Sequence, residues 1–321
     1  MPQITYYATG FPAGSGTGLS GIHVLTFSWP ELVWAAITVG RAGMRQVLQF
    51  GMYSTFEIVY RAALLYANLR QTAAGDLKRS DAYDGLDPSE KSAISYFLGL
   101  TLSKLFAERT LSVPWLLHLD VYRSQLSAIL KKGRSRPDLV GEDTQGRWIV
   151  IESKGRTNGL DQNALDKAKR QSGRVRTING QVPRFRMGIQ AYFESSHLHL
   201  AVDDPEEDRT QRPLPNIPIS REMVTEEYYR PFTAWVEGLG PTKQRSVGNR
   251  TFIVREAPEL DLVVGLDVAY RRRRFEGGPE AHEPSGELTS ATYIGKDGIL
   301  VQLGPRWTEN IMKLAPERRH S

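Results

Sequence analysis

Apolar and polar positions along the chain predict a mixed α/β protein. Asp87-Pro88-Ser89-Glu90 has the pattern of a helix start, with an N-cap, a proline in the first turn and a glutamate three residues after the cap. The helix is predicted to run to Arg109. Its apolar stripe, at steps of three and four residues, consists of Ile94, Leu98, Thr101, Leu105 and Glu108. Gly99 costs helix stability at its mid-helix position, so we expect another backbone to approach it closely.

Further elements follow from the same patterns. Helices are predicted from Ser28, over 54–69, over 161–175 and over 220–237, and residues 1–21 are predicted to be irregular or a short strand followed by a loop. Strands are predicted over 116–122, 186–193 and 197–202, with later apolar runs at 251–254, 260–268 and 299–303. Helices thus dominate the N-terminal part of the predicted fold, and both element types occur in the C-terminal part.

A β-hairpin is predicted between these helices. Leu139-Val140 and Trp148-Ile149-Val150-Ile151 flank the turn residues Glu142-Asp143-Thr144-Gln145-Gly146. A reversal at Thr144 and Gln145 places Asp138 opposite Ile151 or Glu152. Since side chains alternate along a strand, Glu152 and Lys154 share a face while Ser153 points away. Two carboxylates and an ammonium then converge at one end of the hairpin, and this arrangement favours a divalent cation.

A surface ion-pair cluster is the simpler interpretation of the same residues, and such a cluster contributes little to stability. Residues 148–151, however, are apolar on both faces of their strand, which indicates a buried central strand. A buried strand that ends in Glu-x-Lys favours a functional role.

Hydrolysis of a phosphodiester is the chemistry that fits these residues. Mg²⁺ is usually held by one or two carboxylates, with waters and substrate phosphate as the other ligands. Asp138 and Glu152 would supply the carboxylates, aided by the backbone carbonyl of Ser153. Lys154 would position the attacking water, lower the pKa of that water or stabilise developing charge, and the sequence leaves these three roles open.

The composition of the chain excludes several classes of protein and of reactive site. The chain has 321 residues, 40% of them hydrophobic, which is enough to bury a core in one large domain or two smaller ones. It has no cysteine, which excludes disulfides, thiolate nucleophiles and cysteine-ligated metal centres. No segment has the pattern of a signal peptide or membrane span, so we expect a soluble cytoplasmic protein without a membrane partner.

Charge is concentrated around the predicted hairpin. The net charge is +5, whereas residues 131–186 alone hold fourteen Lys and Arg against six Asp and Glu. A polyanion must be held against a site that is itself acidic, so this excess favours contact with phosphates. The residues predicted to make such contacts are Lys131, Lys132, Arg134, Arg136, Arg156, Lys169 and Gln171.

Pro137-Asp138, the hairpin and Glu152-Ser153-Lys154 together resemble the PD-(D/E)xK nuclease superfamily, and the resemblance covers roughly residues 88–205. It implies a restriction-endonuclease-like core, in which a mixed sheet is flanked by helices. It also implies that Asp138 and Glu152 bind Mg²⁺, with Mn²⁺ as a substitute, and that Lys154 assists the attacking water. Many members add an acidic residue from the preceding helix, and Glu108 is the candidate here. The Gln-x-x-x-Tyr signature of exonuclease-like members is absent, because Gln190 is followed by Ala191-Tyr192.

The predicted organisation is therefore a mainly helical region over 1–85, a nuclease core over 86–205 and an α+β accessory region over 206–321. The expected function is Mg²⁺-dependent endonucleolytic cleavage of DNA in bacterial restriction or anti-phage defence, with a homodimer or a larger defence complex as the assembly. Two alternatives stay open. One is a non-catalytic subunit that binds nucleic acid and retains the fold, and the other is a nuclease directed at RNA.

Overall fold

The structure is a computed structural model that describes residues 1–11, 18–39, 52–122, 126, 136–204, 214–238, 242–273 and 290–307. In chain order its helices are α1 (Trp29–Thr38), α2 (Met52–Asn68), α3 (Asp81–Asp84), α4 (Pro88–Leu111), α5 (Gln162–Gly173), α6 (Arg221–Glu237) and α7 (Val268–Arg273). No helix in these ranges is long and apolar enough to cross a membrane.

The strands form two sheets. They are β1 (Gln3–Thr9), β2 (Gly21–Thr26), β3 (Leu69–Gln71), β4 (Leu77–Arg79), β5 (Trp115–His118), β6 (Leu139–Glu142), β7 (Trp148–Gly155), β8 (Phe185–Glu194), β9 (His197–Asp203), β10 (Lys243–Val247), β11 (Arg250–Ala257), β12 (Leu262–Asp267), β13 (Thr292–Ile294) and β14 (Ile299–Leu303).

The first sheet is mixed. Its main path has the order β2-β1-β9-β8-β7-β6-β5, and β3 and β4 attach beside β9. The pairs β1–β9 and β7–β8 run parallel, whereas the other neighbouring pairs run antiparallel. A parallel pair needs a crossover connection, and α5 lies in the connection from β7 to β8.

Helices α4 and α5 cover opposite faces of this sheet. A Cβ atom on Gly155 of β7 would collide with the backbone of Ser95 in α4, and one on Gly188 of β8 would lie 2.7 Å from the backbone nitrogen of Lys169 in α5. Gly188 pairs with Glu152, which is three residues before Gly155 on β7. Residues three apart on a strand face opposite sides, so the predicted mixed sheet flanked by helices is confirmed.

The helix starts predicted at Ser28 and Asp87 are confirmed, because each has a capping interaction. Ser28 and Asp87 each form a capping box with the glutamate three residues later, Glu31 and Glu90. The predicted close approach to Gly99 is also confirmed, since a Cβ there would lie 2.7 Å from the carbonyl oxygen of Lys154. Helix α4 and strand β7 can therefore pack backbone to backbone beside the candidate site.

The N-terminal segment begins with a short strand, which is the second of its two predicted forms, and another strand begins at Gly21. Residues 3–9 and 21–26 are strands of the first sheet, and β1 pairs with β9, almost two hundred residues later in the chain. The sheet therefore crosses the predicted boundary at residues 85 and 86. Pairing over such a separation leaves no local signal beyond a short alternation of apolar residues.

The strand predicted over 116–122 is shorter than expected. Strand β5 ends at His118, and Leu119–Tyr122 forms a 3₁₀ turn. The backbone N–H of Asp120 donates to His118 Nδ1 at 3.2 Å, a local bond that suits a turn rather than an extended strand.

The second sheet is antiparallel, with the order β10-β11-β12-β14-β13. Its three predicted apolar runs lie in β11, β12 and β14. Helices α1 and α6 pack against it, and α1 also packs against α4. Helix α4 therefore packs against β7 and β8 of the first sheet and against α1, which covers the second sheet. One hydrophobic core extends through these elements.

Candidate active site

The predicted hairpin is confirmed by strands β6 and β7. Leu139 pairs with Ile151 in antiparallel register, so Asp138, one residue earlier, lies opposite Glu152. The turn is closed by a hydrogen bond from the backbone N–H of Asp143 to the carbonyl oxygen of Arg147 at 3.0 Å, and Gly146 has a φ of +78°. The turn residues and the apolar runs together set the register that brings the two carboxylates together.

Reciprocal hydrogen bonds hold Asp138 and Glu152 side by side. The backbone N–H of Ser153 donates to Asp138 Oδ2 at 3.0 Å, and the backbone N–H of Asp138 donates to Glu152 Oε2 at 3.0 Å. Lys154 Nζ forms a short ion pair with Glu152 Oε1. The three predicted catalytic side chains therefore meet at one point, at the end of the hairpin away from its turn.

Burial at this point is uneven. The side chain of Glu152 is 2% exposed, whereas those of Asp138 and Lys154 are 21% and 30% exposed. Burial, together with the charge of Asp138, raises the pKa of Glu152 to about 7. Burial also raises the pKa of Asp138, although Lys154 and His118 oppose the shift. Burial and mutual repulsion disfavour the charged forms of the two carboxylates, and a bound cation would stabilise those charged forms.

The donor set fits a hard divalent cation that retains some of its own ligands. Asp138 and Glu152 supply two carboxylates, and the N–H of Ser153 points to Asp138, so its carbonyl turns toward the same side of the strand. The described residues hold no cluster of three or more His, Cys, Asp or Glu side chains suited to a metal. Two carboxylates with room for water and phosphate are what Mg²⁺ commonly uses in proteins.

His118, at the end of β5, lies next to the carboxylates. Its Nε2 is 3.8 Å from Asp138 Oδ1 and 3.4 Å from the hydroxyl of Tyr96 on α4. Its Nδ1 accepts from the N–H of Asp120, which places the proton of the neutral ring on Nε2, toward Asp138. Burial lowers the pKa of His118 and so favours this neutral form.

Tyr96 is the residue at this site that sequence reasoning missed. It is 39% exposed and lies outside the apolar stripe of α4. Burial of its hydroxyl, with the charge of Asp138 as the next cause, raises its pKa to about 12, so it stays a neutral donor. A large aromatic side chain on the polar side of a helix, one turn before Gly99, is the signal that could have identified it.

Gln190 of β8 lies beside Lys154 and fixes the start of α5. Its Oε1 accepts from the backbone N–H of Asp161 at 2.8 Å, and its Nε2 donates to the carbonyl of Asp161 at 2.9 Å. Asp161 in turn caps α5 through the N–H of Ala164. The fully buried amide therefore ties the helix after the hairpin to the strand that carries Lys154.

Glu108 is not part of this site, which corrects the prediction that it adds a ligand. It lies twelve residues beyond Tyr96 on α4, about 18 Å along the helix axis. Its Oε1 is 3.5 Å from Lys296 Nζ, next to the buried Lys104 and Asp297. We call these four side chains the buried charge cluster.

The predicted phosphate-contacting residues are distributed unevenly. Arg136 pairs with Asp120 at 2.7 Å beside His118, and Arg156, 46% exposed, pairs with Asp161 at 2.9 Å. Lys169 is bound to Asp203 at 3.1 Å on β9, away from the hairpin. Gln171 is half-buried near the end of α5. The predictions for Lys131, Lys132 and Arg134 lie outside the described residues.

We found no match to this chain among protein families, curated proteins or solved structures. Any assignment of function must therefore rest on the geometry of the hairpin and its surroundings.

Proposed function

We propose that the protein is a Mg²⁺-dependent endodeoxyribonuclease with a restriction-endonuclease-like core. The observation that carries the proposal is the meeting of Asp138, Glu152 and Lys154 at the partly exposed end of the hairpin. The succession of α4, β5, the β6–β7 hairpin, α5 and β8, with β8 parallel to β7, supports the same proposal. The setting in restriction or anti-phage defence stays a prediction from resemblance.

Asp138 and Glu152 would hold the cation, with the carbonyl of Ser153 as a further ligand. When bound, Mg²⁺ supplies neutralisation of phosphate charge and a more acidic water. The protein contributes the fixed positions of the two carboxylates, because each accepts a backbone N–H from the facing strand. Such preorganisation avoids reorganisation of the ligands during reaction.

Lys154 is the candidate catalytic group that faces solvent. Its ammonium contacts Glu152 Oε1 and is 30% exposed, so it can reach a water or a phosphate oxygen on the open side. In the proposed reaction the water oxygen forms a bond to phosphorus and one phosphorus–oxygen ester bond breaks. His118 would act as a positioning residue, because its Nε2–H faces Asp138.

The test is cleavage of supercoiled plasmid in the presence of MgCl₂. The wild-type protein should nick or cut it, and Asp138→Ala and Lys154→Ala should lower the rate at least about hundredfold. Lys243→Ala is the matched control, since Lys243 also pairs with a glutamate, Glu256, but lies on β10. Its rate should equal that of the wild type.

Cleavage that survives both substitutions at the site would overturn the proposal. Salt-sensitive DNA binding without metal-dependent hydrolysis would instead support the non-catalytic alternative. A parallel panel of RNA substrates separates a ribonuclease from a deoxyribonuclease.

A further inference from the structure

A row of aromatic side chains leads across α2 and α4 to the candidate active site. It consists of Phe56 and Tyr60 on α2 and of Phe97 and Tyr96 on α4, and we call it the aromatic row. Phe56, Tyr60 and Tyr96 are 54%, 50% and 39% exposed. Large hydrophobic side chains exposed to this degree and grouped together usually mark a binding surface.

Neighbouring rings of the aromatic row lie close to one another. Phe56 and Tyr60 are one helical turn apart on α2, so their side chains lie on the same face. The ring centroids of Tyr60 and Phe97 are 5.9 Å apart, and those of Phe97 and Tyr96 are 5.7 Å apart. The aromatic row is therefore one continuous surface rather than scattered residues.

This surface ends at the catalytic side chains. The hydroxyl of Tyr96 is 3.4 Å from His118 Nε2, and His118 Nε2 is 3.8 Å from Asp138 Oδ1. Tyr96 thus connects the aromatic row to Asp138 through His118. The occupant of the aromatic row is therefore expected to be continuous with the substrate.

Arg61 holds Phe97 of the aromatic row in place. Arg61 is 6% exposed, and its guanidinium lies 5.5 Å from the centroid of Phe97. It also donates to the carbonyl of Ala36 at 3.1 Å and to Glu57 at 3.0 Å. A ring fixed in this way presents its face with little loss of conformational entropy when a ligand stacks on it.

We infer that the aromatic row stacks unpaired bases, and that the substrate is therefore single-stranded DNA or duplex DNA with an unpaired arm next to the scissile bond. The inference rests on the proposed nuclease function and names its substrate class. Aromatic platforms beside a phosphate-binding groove bind single strands in this way, because every base has a face to stack. A paired duplex keeps its bases stacked inside and offers the platform no base face.

Charges around the row agree with this occupant. Arg136 and Arg156, two residues before Asp138 and two residues after Lys154 in the chain, would contact phosphates while bases turn toward the rings. A protein partner on the same surface would instead cover the entrance to Asp138 and Lys154.

The test uses three fluorescein-labelled probes at one salt concentration with full-length protein in an Asp138→Asn background. The probes are a thymidine 20-mer, a blunt duplex and a duplex with a ten-nucleotide unpaired arm. Tyr60→Ala and Phe56→Ala should each weaken binding of the 20-mer and the armed duplex about tenfold, and leave the blunt duplex unchanged. Tyr60→Leu should lose as much as Tyr60→Ala, whereas Tyr60→Phe should retain binding.

Tyr7→Ala is the matched control, because Tyr7 is 46% exposed on β1, far along the sheet from the hairpin. Full binding by Tyr60→Leu, equal losses on all three probes, or unchanged binding by both alanine variants would overturn the inference. In those cases plasmid cleavage by the wild type would still stand as support for the proposed function. Absence of cleavage on every substrate, with stacking losses intact, would instead remove the nuclease and leave a protein that binds single strands.

Discussion

The candidate active site and the buried charge cluster contain the same kinds of side chain and differ in access. At the hairpin, two carboxylates and Lys154 meet where Asp138 and Lys154 stay partly exposed. In the buried charge cluster, Lys104 and Asp297 are 0% exposed and Glu108 is 3% exposed. Both sets raise the pKa of a glutamate through burial, to about 7 for Glu152 and about 6 for Glu108.

The partners of the charged groups explain the difference. Asp297 accepts from the indole N–H of Trp34 at 3.0 Å and from the hydroxyl of Tyr228 at 2.5 Å. Lys104 donates to the carbonyl of Pro114 and to the hydroxyl of Tyr228. These partners lie on α1, on α6 and in the segment between α4 and β5, so the buried charge cluster joins elements of the core, whereas the hairpin set faces outward. A lysine near two carboxylates indicates a reactive site only where substrate can reach it.

Exchange of the two lysines for methionine should separate activity from stability. Lys104→Met leaves Asp297 buried without the ammonium that favours its charged form, whereas Glu108 keeps Lys296, and should lower the free energy of unfolding by about 3–5 kcal/mol. Lys154→Met should lower DNA cleavage at least about hundredfold with little change in stability, because Lys154 is partly exposed. Denaturant unfolding and plasmid cleavage on both variants measure this. A loss of stability in Lys154→Met equal to that in Lys104→Met would erase the distinction.

Divalent metal should stabilise the protein through the candidate active site and not through the buried charge cluster. At a Mn²⁺ concentration about a hundred times its dissociation constant, the wild type should gain about 2.7 kcal/mol in the free energy of unfolding. Glu152→Gln should lose this gain because it removes a ligand, and Glu108→Gln should keep it. Thermal unfolding with and without MnCl₂ checks the expectation, and a gain that Glu108→Gln abolishes would return Glu108 to the metal site.

Stability should also depend on pH with a defined sign. The pKa of Glu152 in the folded protein, about 7, lies above its ordinary value of 4.5, so the folded state keeps a proton that the unfolded state has released. The free energy of unfolding should therefore fall as pH rises from about 4.5 to 7 without metal, by about 3 kcal/mol from Glu152.

Glu108 contributes with the same sign over a narrower interval, up to about pH 6. Glu152→Gln should flatten the upper part of the profile and Glu108→Gln only the part below pH 6. Urea unfolding at several pH values tests both, and stability that rises through this interval would contradict the assignment.

The smallest expected effect concerns Gly99, on the helix that both regions share. In a free helix Gly→Ala would gain about 1 kcal/mol. Here the new methyl group would lie 2.7 Å from the carbonyl oxygen of Lys154, so Gly99→Ala should instead cost about 1 kcal/mol and slow cleavage. Ser92→Ala, on an exposed position of the same helix, is the control. Cleavage by Gly99→Ala at the wild-type rate would contradict this expectation, because β7 would then have moved without any effect on the function of Lys154.

The sequence was sufficient to predict the hairpin and not the environment of Glu108. Asp138, Glu152 and Lys154 are brought together by one turn within seventeen residues, so turn chemistry and strand alternation determine their meeting. Glu108 lies on the predicted apolar stripe, but the side of α4 that meets β7 carries Gly99 and Ser103, and Glu108 is about 140° around the helix from Ser103. Periodicity predicts an apolar face and not the element against which that face packs. Its partner Lys296 is almost two hundred residues away, and no local pattern reports such a contact.

The aromatic row was missed for a related reason. Phe56 and Tyr60 belong to a different helix from Tyr96 and Phe97, and only packing between the two helices joins them. Single exposed aromatic residues are ordinary in a sequence, whereas a continuous set beside the candidate active site is visible only in three dimensions.

The pairing of β1 with β9 has a consequence for synthesis of the protein. Translation proceeds from the N terminus, so β1 and β2 leave the ribosome while the strand that completes their side of the sheet, at residues 197–203, has not been made. Until then both edges of this uncharged hairpin are unpaired, and an unpaired strand edge can pair with another chain. The hairpin that carries Asp138, Glu152 and Lys154 likewise waits for β8, so the candidate active site can be completed only after residues 185–194 have been made.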